Sequence, residues 1–106
     1  MKGSYIIVLV TTGNSEEAGR IADELLKQRQ AACVSVVPEV SSSFWWRGKL
    51  DSARESLLII KTKASMLDGV VASVKRLHSY EVPEIIALPV VGGNQDYLKW
   101  IETEVK

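Results

Sequence analysis

The sequence predicts an α+β fold. One antiparallel sheet carries two helices on one face, in the order β-α-β-β-α-β, with a further helix at the C-terminus. Three observations carry this reading. Four segments are apolar, continuous or β-branched, while three others repeat their apolar residues every three to four positions. Capping and turn residues, among them Asn14, Gly48 and Asn94, fall at the joints between them. At 106 residues the chain can bury one core, so 1–106 is read as a single domain.

The elements follow in order. Tyr5–Val10 is apolar and ends at Thr11-Thr12-Gly13-Asn14, so it reads as the first strand. Ala18, Ile21, Ala22, Leu25 and Leu26 then form the stripe of an amphipathic helix, and Asn14 with Glu17 resembles a capping box at its start. Ala32–Val37 is a second strand, and Pro38 after it implies an edge, a bulge or a bend. The chain stays extended over Val40–Trp46, turns at Arg47-Gly48-Lys49 and returns as Glu55–Thr62, a long hairpin. Within the return strand, Leu57–Ile60 has no polar face and is expected to be covered on both sides. Leu67, Val70, Val71, Val74 and Leu77 mark the second helix, weakened at Gly69. Val82–Val91 is the fourth strand, with prolines at 83 and 89; Asn94 caps a last helix bearing Tyr97, Leu98, Ile101 and Val105. This is the split βαβ, or ferredoxin-like, arrangement. Its helix-free face must meet another sheet, and self-association supplies one.

Composition excludes several classes. Thirteen Lys+Arg against thirteen Asp+Glu gives a formal net charge of zero, without the basic face that nucleic acid requires. The longest apolar run, Tyr5–Val10, falls short of the roughly 20 residues of a membrane span and the ~7 of a signal peptide's apolar region. No membrane or nucleic-acid partner is expected. A single cysteine forms no intramolecular disulfide, which predicts a cytoplasmic setting.

The chain has one cysteine, Cys33, and one histidine, His78, so no subunit builds a Cys/His metal site alone. A site shared across an interface could add Glu81 or Glu84 to His78. Cys33 within Ala31–Val34 also suits a small buried hydrophobe, and His78 suits a helix C-terminus. Thr11–Ser15, between a strand end and a helix start, offers free N–H groups that could hold an anion, although capping explains every residue there. No catalytic constellation can be assembled. Phe44-Trp45-Trp46 places Phe44 and Trp46 on one side of a strand and Trp45 on the other, and one of these faces is expected to pack on another subunit. His78–Glu84 gathers an imidazole, a phenol and two carboxylates at a helix-to-strand junction, where clefts form.

Several separated motifs occur together: Ala31-Ala32-Cys33 with Pro38, Phe44-x-Trp46-x-Gly48-Lys49, Glu55, Lys61-Thr62, His78-x-Tyr80-x-x-Pro83-Glu84, Leu88-Pro89 and Asp96-Tyr97-Leu98-x-Trp100. In this order, from about Ile7 to Ile101, the chain resembles the CutA family of divalent-cation tolerance proteins. The resemblance implies a ferredoxin-like subunit, a cytoplasmic homotrimer similar to the PII signalling proteins, and a response to copper or other divalent metal ions. It also implies a cleft lined by Thr11, Trp46, Lys61, Tyr80 and Glu84, with His78 and Cys33 as metal ligands. The chain departs from some relatives by carrying Val10 in place of a cysteine, Leu77 in place of a second histidine and Ser79 in place of a proline. The other reading is a PII-like trimeric signalling or scaffold protein that binds a small organic or anionic effector in the inter-subunit cleft. There Lys61 and His78 would supply positive charge and Trp46 an apolar wall.

Overall fold

Strand β1 (Tyr5–Thr12) is hydrogen-bonded along both edges, and its alternation divides the molecule into two sides. The structure is a computed structural model describing residues 4–106. After β1 come α1 (Ser15–Lys27), β2 (Cys33–Trp46), β3 (Lys49–Lys63), α2 (Leu67–Leu77), β4 (Ile85–Pro89) and α3 (Gln95–Glu104), with a 3₁₀ turn at Ala64–Met66 leading into α2. The strands are antiparallel and lie in the order β2-β3-β1-β4, as the ferredoxin-like reading requires.

Opposite residues of paired strands point to the same side, so the register assigns each face. Val8 and Val10 of β1 share one side with Ile60 and Leu58 of β3, and all four are buried under α1 and α2. Ile21 and Leu25 of α1 and Val70 and Val74 of α2 close this core. Leu26, expected on the buried stripe, is 40% exposed, because it sits at the stripe's margin near the helix end.

The other side carries Ile7, Leu9, Leu57 and Ile59, all half-buried. Leu57–Ile60 is therefore covered on one side only within the chain. Helix α3 lies across one end of this face, where Leu98, Ile101 and Val105 pack with Tyr5 and Glu102 takes bonds from Tyr5 and Lys63. Toward the edge, Ile86 and Leu88 of β4 stay exposed.

The second strand and the following extended segment prove to be one strand, interrupted by a bulge between Val37 and Val40. Pro38 donates no backbone bond, and its carbonyl accepts from the Ser56 hydroxyl at 2.7 Å. β1 pairs with β3 only as far as Ser56, so beyond it the hairpin is a two-stranded arm, and the molecule measures 43 Å along its longest axis. The arm reverses on Arg47 and Gly48 alone, with φ of 52° and 79°; positive φ at both central residues is the pattern of a tight hairpin turn matching strand twist. The fourth strand is shorter than expected, Ile85–Pro89, because Pro83 keeps the chain before it out of the ladder.

Replacing fully buried Leu58 with Ala should cost about 2–5 kcal/mol in urea unfolding, whereas Leu26→Ala should stay within about 0.5 kcal/mol.

Candidate functional site

Helix α2 ends at His78, whose backbone leaves the helix in an extended conformation while its N–H still donates to the Val74 carbonyl at 2.9 Å. The imidazole lies against the end of β1, with Nε2 2.7 Å from the Thr11 carbonyl oxygen. A carbonyl only accepts, so Nε2 carries a proton and donates. Nδ1 accepts from the Tyr80 backbone N–H at 3.0 Å, which assigns the neutral Nε2–H tautomer. Both ring nitrogens are thus engaged within the chain. Between these two residues, Ser79 donates its N–H and its hydroxyl to the Glu17 carboxylate, at 2.7 and 3.1 Å.

Glu17 corrects one detail of the helix start. Asn14 accepts from the Glu17 N–H at 2.8 Å as a cap should, yet the Glu17 side chain does not return to Asn14. It is buried and anchors the segment after α2 instead.

This clamp directs the Tyr80 hydroxyl to Glu55, donating at 2.7 Å to Oε2. Burial pushes the Tyr80 phenol up to about 12, reinforced by the bond to Glu55 and by the charges of Glu55 and Glu17. Between the arm and the segment 80–84 lies a groove of about 750 Å³. Its walls include Thr11, Phe44, Trp46, Glu55, Tyr80 and Glu84, with Glu81 at the margin. Phe44 and Trp46 face the groove together, as the alternation of β2 predicts, while Trp45 is 72% exposed beyond its outer side. The lining holds three carboxylates, from Glu55, Glu81 and Glu84, and none of its residues is Lys, Arg or His. Arg47, at the turn, donates to Glu81 at 3.0 Å and lies 5.3 Å from the centre of the Trp46 ring.

Four nominated residues, Thr11, Trp46, Tyr80 and Glu84, therefore meet at the groove, and His78 stands behind them as the link between Thr11 and Tyr80. Cys33 and Lys61 lie elsewhere. Cys33 pairs with Lys61, and Lys61 with Ile7, four residues along β1 from Thr11, or about 13 Å at strand spacing. The Lys61 ammonium donates to the Ser35 hydroxyl at 2.6 Å and stands 3.7 Å from the Cys33 sulfur. Among the described residues no three His, Cys, Asp or Glu groups are gathered to hold a metal ion. In the sequence Glu17 resembles a capping-box residue; its anchoring role depends on tertiary contact with Ser79. Glu55 carried a sequence signal, a charge two residues before an apolar run on the same strand face.

A four-stranded antiparallel sheet of this order, with paired helices on one face, a protruding arm and a groove at its root, defines a ferredoxin-like α+β fold. The chain belongs to the CutA1 divalent ion tolerance protein family, whose profile matches residues 6–104. It is 46% identical over 101 residues to "Protein CutA 1, chloroplastic" of Oryza sativa subsp. japonica, covering 95% of this chain and 57% of that one. It is 42% identical over 95 residues to the divalent-cation tolerance protein CutA of Thermus thermophilus, covering 90% of this chain and 92% of that one. The solved structure of the "Periplasmic divalent cation tolerance protein CutA" from Archaeoglobus fulgidus superimposes with a TM-score of 0.93 at 38% identity, covering 96% of this chain and 99% of that one. The chain spans little more than half the length of the plant relatives it matches. The names of two of these relatives place them in a chloroplast and a periplasm; among the described residues, no helix of this chain is long and apolar enough to cross a membrane.

Two outcomes test the clamp. Because the folded chain holds the Tyr80 proton above its ordinary value of 10.0, while the unfolded chain releases it there, stability should fall as pH rises from about 10 to about 12. Tyr80→Phe should flatten that decline in denaturant titrations. Glu17→Ala, which strands the Ser79 N–H, should cost about 1–3 kcal/mol and speed amide exchange at Ser79 and Tyr80.

Proposed function

We propose that this chain serves divalent-cation tolerance as a homotrimer that binds divalent metal ions, copper foremost, at the groove. One observation carries the reading: Glu55, Glu81 and Glu84 all line the groove, though not gathered closely enough to hold an ion within one copy, and its lining has no cationic side chain. Carboxylate oxygens are donors for divalent ions, and for a given N/O/S donor set Cu²⁺ stands at the top of the affinity order. The donors of one subunit are incomplete, so a second copy would supply the rest. The half-buried apolar residues of the helix-free face favour such packing, and zero formal net charge does not oppose it. A cytoplasmic setting accords with the single free cysteine.

In this reading Glu84 and Glu81 are ligands. His78 positions them through Tyr80, since its nitrogens are already bonded. Cys33 contributes little, because the neighbouring Lys61 ammonium repels a cation. The family names of the relatives, each a divalent-cation tolerance protein or CutA, support the class of ligand.

Calorimetric titration with copper tests it. Glu84→Gln should weaken binding at least about tenfold, and His78→Ala by roughly 10- to 100-fold, as loss of an orienting group does. Unchanged affinity in Glu84→Gln would overturn the carboxylate site. Light scattering that finds a monomer at micromolar concentration would remove the shared site altogether.

A further inference from the structure

Arg47 lies against two residues of the groove's lining, Trp46 and Glu81, and the way it is held describes what the groove recognises. Its guanidinium lies 5.3 Å from the centre of the Trp46 ring and 3.0 Å from a Glu81 oxygen. An aromatic face with a carboxylate beside it is the arrangement that holds organic cations, because the ring's negative face and the carboxylate attract the same charge. Metal ions gain little from such a wall; a planar, weakly hydrated cation with an apolar body gains from both groups. The Arg47 contact is not built in tightly, since the Arg47 and Glu81 side chains are 72% and 71% exposed and Arg47 sits on a two-residue turn.

Deeper in, the same chemistry is repeated without an occupant from the chain. Glu55 is only 7% exposed, and its Oε2 accepts from Tyr80. Its Oε1 accepts no bond among the described residues and is not sealed from solvent. Phe44 and Glu84 line the same groove. A volume of about 750 Å³ suits a small organic molecule.

We propose that the groove between the hairpin arm and residues 80–84 binds a small guanidinium or alkylammonium compound, its apolar part on Phe44 and Trp46 and its charge at Glu55 and Glu84, and that Arg47, held at Trp46 by Glu81, competes for the Trp46 ring. Three carboxylates and no cationic side chain in the lining favour a cation over an anion there. The inference does not depend on metal binding at the groove.

Butylguanidine and its uncharged counterpart butylurea separate the outcomes, titrated into the intact protein by calorimetry in the presence of EDTA. Butylguanidine should bind at least about tenfold more tightly than butylurea. Trp46→Leu should weaken it roughly two- to thirtyfold, the range of a cation–aromatic contact. Arg47→Ala, an exposed change that leaves the core intact, should strengthen it several-fold by freeing the Trp46 ring. Equal binding of the two compounds, or no gain from Arg47→Ala, would overturn the proposal. With metal chelated, neither result bears on the copper titration, and failure of copper binding leaves this site standing.

Discussion

The end of β1 imposes the constraint from which the site follows. β4 pairs with β1 only as far as Val10, and one residue later the buried Thr11 presents a carbonyl that the sheet no longer serves from β4. Buried backbone oxygens must find donors, and His78 supplies one. That single bond places the imidazole, which receives the Tyr80 N–H, while Glu17 holds Ser79 between them. The segment after α2 is thereby fastened to both β1 and α1 before it enters β4. The Tyr80 hydroxyl then meets Glu55, and the groove has a fixed floor.

Much of this was legible in the sequence. Val8 and Val10, Leu58 and Ile60, and the stripes of α1 and α2 were readable because periods of two and 3.6 sort residues by face wherever the burial is one-sided. Asn14 and Asn94 announced their caps by residue type alone. Pro38 marked an irregularity, though whether it ended a strand or bulged one depended on β3 opposite it. The pairing of Phe44 with Trp46 on one face followed from alternation. What alternation cannot supply is long-range partnership. Glu17 lies 62 residues from Ser79, and Tyr80 lies 25 from Glu55. For the same reason Lys61 and Cys33, grouped with the cleft by resemblance, fall near one another but away from Thr11. His78 was recognisable as important by its neighbours, but its protonation state emerges only from the two groups that its ring meets.

Zero net charge conceals an uneven distribution. Acidic residues line the groove, while Lys61 sits on the helix-free face beside Cys33 and Ser35. The Lys63–Glu102 and Arg29–Glu104 pairs tie α3 to the rest of the chain. Exposed pairs of this kind contribute little stability, so their effect is mainly to set which surfaces tolerate a cation.

The bulge at the root of the hairpin has a mechanical consequence. The arm beyond Pro38 is a cantilever of some seven residue pairs, about 23 Å long at strand spacing. A change of about 10° at its root would carry Trp46 roughly 4 Å, comparable to the separation of neighbouring strands. The hydroxyl of Ser56, bonded to the Pro38 carbonyl, stands at that pivot. Any shift at this pivot would thus change the width of the groove from a serine outside its lining.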